Sequence, residues 1–381
     1  HYAVEQKLDI SDRVVVSHTD PSSTLVKGLC EKVEEQNETY FTIITRDLEE
    51  RQGYNDDDIN CEIRTSTGDS LGKDLKIEDA EDGSYIIKYT PDHIGLYDVK
   101  IEINGQPLDG SPWTVQVIPH QYQLKFSFGS CGNRAGNFNY PCGVAVSEKT
   151  GTIAISDYSN NRIQLFSSNW NYLNEIRLGS SCSSVSFTES DQIISATPHD
   201  VNKICLFAKD GKFVQHINSK HLQCPSHISI GKDDSITSSD PINHVFEVIS
   251  PDGTKLLKRF RASEHHDSIK CVIYHEQKFF VSDCKAHRVG VYDEDGILLY
   301  DIGSKGSGDG HLAHPSGLAI DTFNNLLVCD AGKSSVQVFT RDGKFMSMFG
   351  LSSFAPNYVA VSKNGDVFVT DYVNHCVHVF H

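Results

Sequence analysis

Between Phe128 and Phe166 the chain alternates short apolar runs with polar turns. Gly143-Val144-Ala145-Val146 is followed by a turn at Lys149-Thr150-Gly151. Ile153 to Asp157 comes next, then a polar loop from Tyr158 to Asn161, and then Arg162-Ile163-Gln164-Leu165-Phe166. Runs this short, rich in β-branched and aromatic residues and bounded by turn formers, predict successive antiparallel strands. With Ile163 as the phase marker, the pattern returns at Ile204, Val245, Val289, Val336 and Val377, at intervals of 41, 41, 44, 47 and 41 residues. The second run recurs as Gln192 to Ala196, Ser235 to Ser239, Phe279 to Asp283, Leu326 to Asp330 and Asp366 to Asp371. Four short strands per unit at this period predict a β-propeller of six blades.

A ring of blades must close or leave an open edge strand. Phe213 to Ile217 and Phe345 to Phe349 read as fourth, outer strands, but the chain stops at His381, just after a third strand. Residues 122–128 match the missing element, so Leu124 to Phe128 is expected to pair with Cys376 to Phe380. Pro141, which precedes the first run, recurs as Pro225, Pro315 and Pro356, with Cys182 and Ser268 in its place in the second and fourth copies. The residue after it, expected to face the central channel, is then Cys142, Ser183, Ser226, Ile269, Ser316 or Asn357, none of them charged.

Upstream, the period-two alternation is clear in Tyr97, Val99, Ile101 and Ile103, in Tyr85, Ile87 and Tyr89, and in Trp113, Val115 and Val117. Roughly seven such strands in about 100 residues, with no helical period, predict an immunoglobulin-like two-sheet sandwich. The expected domains are residues 1–118 and 122–381, joined by a short linker at 119–121.

Charge divides the chain the same way. The first 120 residues carry 11 Lys and Arg against 25 Asp and Glu, whereas the remaining 261 carry 23 against 26. The acidic sandwich is therefore a poor partner for phosphates or anionic membranes, and no long apolar run points to a membrane. Eleven cysteines, none in a C-x-x-C pair, argue against a structural zinc site and for a reducing, cytoplasmic setting. No cofactor or metal is expected.

Asp82-Gly83-Ser84-Tyr85, Tyr89-Thr90-Pro91, Gly95-Leu96-Tyr97 and Gly110-Ser111-Pro112-Trp113 resemble the second half of a filamin-type immunoglobulin repeat. Asp157 to Gln164 and Asp371 to His375 are similar to the NHL repeat. A filamin-type domain followed by six NHL repeats resembles the C-terminal half of a tripartite-motif (TRIM-NHL) protein. The resemblance implies an all-β chain, a sandwich plus a six-bladed propeller. It also implies a ubiquitin ligase whose RING, B-box and self-associating coiled coil lie upstream.

In that family the propeller holds the target, a protein or an RNA, on the face bearing the loops before the first strand and between the second and third. Those loops offer Arg134, Tyr140, Tyr158, Asn160, His199, Lys220, His221, Lys285, His287, His311, His314, Lys333, Tyr372 and His375. The uncharged channel positions weigh against RNA. So does the eroded Asn-His-Arg triplet, where Arg162 and Arg288 remain, Lys203 substitutes, and His244, Ser335 and Cys376 depart. A protein substrate is the preferred partner and RNA the alternative. Arg162 and Arg288 are expected to pair within their blades with Asp157 and Asp283. Catalysis is not expected: no G-x-S-x-G occurs, and only His227, Asp157 and Asp283 suggest ligands for a channel metal of the kind used by propeller lactonases and lyases.

Overall fold

A computed structural model describes residues 19–35, 37–52, 57–65, 67–70, 75–199, 203–217, 223–231, 233–261 and 268–381. The chain divides into two compact units, residues 1–120 and 121–381. There is no α-helix among the described residues, and no helix is long and apolar enough to cross a membrane.

The first unit is a sandwich. One sheet runs Leu25–Lys27, Thr39–Ile44, Ser84–Tyr89, Lys76–Asp79 in spatial order. The other runs Lys32–Glu34, Trp113–Ile118, Gly95–Ile103, Ile59–Thr65, with Gln106–Pro107 attached to Gly95–Ile103. The alternation read from sequence decides which side chains meet in the middle: Phe41, Ile43, Ile63, Ile87, Tyr89, Tyr97, Val99, Ile101, Ile103, Val115 and Val117 form one core. Trp113 stays half-buried at the margin of that core.

The second unit is a ring of six four-stranded antiparallel sheets. Blade 1 comprises Pro141–Val146, Ile153–Asp157, Arg162–Phe166 and Tyr172–Arg177, and blade 2 Ser184–Phe187, Ile193–Thr197, Lys203–Phe207 and Phe213–Ile217. Blade 3 comprises His227–Ile230, Ile236–Asp240, Val245–Ile249 and Leu256–Arg261, and blade 4 Ile269–His275, Lys278–Asp283, Arg288–Tyr292 and Leu298–Ile302. Blade 5 is Pro315–Ile320, Leu326–Asp330, Ser335–Phe339 and Phe345–Gly350. Blade 6 takes Pro356–Val361, Val367–Asp371 and Cys376–Phe380 from the end of the chain and its outer strand, Leu124–Phe128, from the beginning. The second and third strands of each blade are almost wholly buried, because neighbouring blades cover both of their faces. The outer strands alternate with solvent.

Closure is as the repeat arithmetic predicts: Leu124 lies opposite Phe380, Ser127 opposite His378 and Phe128 opposite Val377. Beyond the strand, Gln123 and His381 exchange both backbone hydrogen bonds. Tyr122 is buried against Phe349, with ring centroids 4.6 Å apart, and its hydroxyl donates to Asp321 Oδ2 at 2.7 Å. The segment entering the ring is thereby tied to blade 5 as well as to blade 6.

Around the axis, hydroxyls near the ends of second strands reach the first strand of the next blade. Ser282 Oγ donates to Ser316 O at 2.6 Å, and Thr370 Oγ1 to Cys142 O at 2.6 Å. The inner strands approach so closely that a Cβ on Gly317 would lie 2.5 Å from Tyr358 Cα. No disulfide joins any of the eleven cysteines.

Removing the Tyr122 hydroxyl leaves the closing contact apolar and takes one donor from a buried carboxylate. Tyr122→Phe is expected to lower unfolding stability by about 1–3 kcal/mol in urea titration, with the far-ultraviolet spectrum unchanged.

Candidate functional site

The face carrying the loops before each first strand and between each second and third strand is organised by the Asp that ends the second strand. Asp157 accepts from Asn139 N at 2.7 Å, Asn160 Nδ2 at 2.8 Å and Arg162 Nε at 2.7 Å. Asp330 accepts from Ala313 N, His314 N and Gln337 Nε2. Asp240 takes Gln223 N and Asn243 Nδ2, Asp283 takes Lys285 N and Ala286 N, and Asp371 takes the backbone N and Nδ2 of Asn374. Thr197 holds the place in blade 2. These five carboxylates are fully buried and turned inward. With these five acids internal, the exposed charges of the described loops are cations such as Arg134 and Lys285 together with Asp309.

Arg162 is the strongest tie. Its side chain is buried, and besides Asp157 it bonds Glu175 Oε2 at 2.7 Å and the carbonyls of Asn133, Arg134 and Asn137. Gln164 adds bonds to Gly136 N and Asn137 O. Arg162 and Gln164 together fix the long loop that displays Arg134 and Tyr140. Arg288 departs from the sequence expectation: its Nη1 reaches Asp301 Oδ2 at 2.6 Å, on the outer strand, because at the blade rim that carboxylate lies opposite the third strand. Its Nε and Nη2 are buried without hydrogen-bond partners among the described residues.

The predicted residues sort into two groups. Asn160, through Gly132 O and Asp157, and Lys333, through Gly308 O at 2.6 Å, hold their own loops. His311 pairs with Ser304, and His287 hydrogen-bonds Ala313 O. Others meet at blade seams, as the His287 bond to the loop before blade 5 does. His375 accepts from Tyr140 N, and the two rings meet edge-on at 4.8 Å, joining blades 6 and 1. The Tyr158 hydroxyl meets His199 Nε2 at 2.7 Å, joining blades 1 and 2. His314 stands 5.8 Å from His287 between blades 5 and 4. Tyr372 is half-buried, whereas Arg134 and Lys285 are exposed, with no side-chain partner among the described residues. Lys220 and His221 lie outside the described residues.

One channel position is corrected. Pro141 lies opposite Asp157, Pro315 opposite Asp330 and Pro356 opposite Asp371. In blade 4 the residue in that register is Ile269, opposite Asp283. The residue after it is therefore Lys270, not Ile269, and Lys270 is exposed, with no side-chain partner among the described residues. The signal that could have found it is the β-bulge shared by these four blades, which a first strand without proline does not advertise. Lys305, exposed in the loop before blade 5, was also missed.

Deeper in the channel, the buried His227 ring stacks on Tyr358 at 5.4 Å and 2°. It accepts from Val272 N at Nδ1 and has Cys271 Sγ 3.2 Å from Nε2. Burial lowers its pKa to about 3, so the imidazole is neutral. With Asp157 and Asp283 turned to their loops, the three expected metal ligands do not form a cluster. The group of three or more such ligands found among the described residues is Asp371, Cys376 and His378.

The comparisons agree with this architecture. The Filamin/ABP280 repeat model matches residues 18–114, the NHL repeat model residues 138–166, and a 6-bladed beta-propeller model residues 263–378. The rat E3 ubiquitin-protein ligase TRIM71 is 35% identical over 124 residues, 29% of this chain and 14% of that protein. Protein lin-41 of Caenorhabditis elegans is 28% identical over 102 residues, 25% of this chain and 9% of that protein. The chain thus carries a filamin repeat and an NHL repeat, and both of these relatives are TRIM-NHL proteins.

Its matched stretch spans no more than 14% of either TRIM-NHL relative. Among solved structures, a Bacteroides thetaiotaomicron protein of unknown function aligns over 95% of this chain and 99% of its own, with a TM-score of 0.61 at 13% identity. A gluconolactonase from Xanthomonas campestris aligns over 68% of this chain and 98% of its own, with a TM-score of 0.55 at 16% identity. At such identities the likeness shows the fold alone, and the TRIM-NHL relation rests on the repeats.

Arg162→Ala strands a buried Asp157 and is expected to cost about 3–5 kcal/mol in urea unfolding, because removing one partner leaves a buried charge unpaired. Arg288→Ala, at a pair whose side chains are 19% and 29% exposed, removes a guanidinium that already has two donors unpaired among the described residues and is expected to cost less than Arg162→Ala. His227 yields a pH dependence. Its folded pKa is depressed, so its contribution is complete above about 6.5 and is lost as pH falls toward about 3, where the unfolded chain takes up a proton the folded one refuses. Between pH 6 and 5 the wild type is expected to lose about 1.4 kcal/mol per pH unit more than His227→Asn.

Proposed function

We propose that this chain is the target-recognition half of a TRIM-NHL ubiquitin ligase, holding a protein substrate on the loop face of the propeller for a RING module outside the chain. The observation that carries the reading is how that face is composed. Aromatic and histidine side chains pair across blade seams at Tyr140 and His375 and at Tyr158 and His199, His287 bonds the entry loop of the next blade, and Asn160, Lys333 and His311 are engaged by the loops of their own blades. A broad relief of this kind suits a protein interface of standard size, and the ring gives it rigidity. The exposed cations Arg134, Lys270, Lys285 and Lys305 would favour acidic side chains on the partner. Ligase chemistry belongs to the RING, so the chain itself performs none, and the cytoplasm is where it would act.

RNA remains the second reading because of those same cations, above all Lys270, whose position beside the channel is occupied by uncharged residues in the other blades. Four separated cations are a small set for a phosphate backbone, which is why the protein reading leads. The test is titration of the chain with structured and single-stranded RNA pools at two salt concentrations. The protein reading expects no RNA binding that survives physiological salt. Binding that does survive, weakens steeply as salt rises and is lost in Lys270→Glu would transfer the function to RNA.

A further inference from the structure

In blade 1 the positions five and seven residues after the second-strand Asp are Arg162 and Gln164, and in blade 5 they are Ser335 and Gln337. Each Gln amide donates to its Asp and to a carbonyl of the long loop before the blade: Gln164 to Asp157 and Asn137 O, Gln337 to Asp330 and His311 O. Blade 6 has a short loop there, and its two positions are Cys376 and His378. A polar tie has been replaced by a thiol and an imidazole facing a carboxylate, in the blade that closes the ring.

The two separations from His378 are those of ligands about one ion. His378 Nε2 lies 3.3 Å from Asp371 Oδ2 and 3.4 Å from Cys376 Sγ, and the three ligand atoms lie within 4.8 Å of one another. With bonds of about 2.0 Å to nitrogen and oxygen and about 2.3 Å to sulfur, the edges of a coordination tetrahedron are about 3.3 Å between nitrogen and oxygen and about 3.5 Å between nitrogen and sulfur. All three residues are buried, at 0%, 9% and 8% exposure for Asp371, Cys376 and His378.

The surroundings orient each ligand. The far ring nitrogen of His378 is hydrogen-bonded to Ser127 Oγ at 2.6 Å, from the closing strand, and Asn374 holds both oxygens of Asp371. Such outer partners fix a metal-binding imidazole and carboxylate. Phe354, itself buried, lies edge-on to the His378 ring at 5.3 Å.

We propose that Asp371, Cys376 and His378 form a mononuclear zinc site in blade 6. Mixed sulfur, nitrogen and oxygen donors suit Zn²⁺ rather than Ca²⁺ or Mg²⁺, and three protein ligands leave the fourth position to water. Binding links the second strand to the third and, through Ser127, to the strand that arrives from the start of the ring. The proposal does not rest on the loop-face function and stands or falls independently of it.

The test uses the chain stripped of metal and titrated with Co²⁺ under a non-thiol reductant, then with Zn²⁺. The expected result is one equivalent of Co²⁺ giving tetrahedral visible bands and a thiolate-to-cobalt charge-transfer band, both abolished by Zn²⁺, with a higher thermal midpoint in Zn²⁺. Cys376→Ser removes the charge-transfer band. His378→Gln installs the side chain that blades 1 and 5 carry at this register, so the metal-free fold is retained while Co²⁺ affinity falls by about tenfold or more, as loss of an outer partner alone typically does. Absence of the charge-transfer band in the wild type, or its survival in both variants, overturns the proposal. If His378→Gln does not fold, Cys376→Ser with the visible bands retained but the charge-transfer band lost upholds it, and an unchanged spectrum overturns it.

Discussion

Ring closure is the constraint from which the propeller's organisation follows. A blade buries its second and third strands only against neighbours, so six blades are stable together only if the last meets the first. The pairing of Leu124–Phe128 with Cys376–Phe380 supplies that meeting by backbone hydrogen bonds, and Tyr122 on Asp321 adds a buried side-chain anchor. Without it, one face of blade 6 and one face of blade 1 would lose their cover. The hydroxyl contacts near the axis, such as Ser282 to Ser316 and Thr370 to Cys142, depend on the same closure, because they join residues of adjacent blades.

The second-strand Asp connects that scaffold to function. Buried carboxylates stay charged in low dielectric only if several donors surround them, and here the donors are the backbone and amides of the loops themselves. The same bonds that satisfy Asp157 and Asp330 shape the two long loops before blades 1 and 5. They also take those carboxylates out of the solvent-facing surface, where Arg134, Lys270, Lys285 and Lys305 are exposed along with Asp309. Turns on the opposite face carry charges of both signs, among them Asp210, Asp252, Lys212 and Lys344.

Blade-to-blade divergence is concentrated at the positions that the repeat leaves unconstrained. Gly143 and Gly317 fill an inner-strand register where two backbones nearly touch, yet the same register holds His227 and Cys271 in blades 3 and 4 and Tyr358 in blade 6, which fill the channel. Beside the Asp, Arg162 and Gln164 in blade 1 become Cys376 and His378 in blade 6. A degenerate repeat keeps its apolar spacing because every blade needs cover, and varies its polar network because each loop has its own length.

Period, strand number, blade count and the closing strand were legible in the chain itself, since burying a two-faced strand demands apolar residues at fixed intervals and Ile163 through Val377 supply them. The sandwich core was legible for the same reason, in the alternation from Tyr97 to Ile103. What the pattern could not carry was anything set by contacts across blades or by a shift of one residue. Lys270 entered the channel because a bulge, not a proline, defined its register; Arg288 turned to Asp301; and Asp371, Cys376 and His378 met because adjacent antiparallel strands place them side by side. Spacing along a strand specifies a face, but which side chains converge on it depends on partners from elsewhere in the chain, and those are decided only when the ring is built.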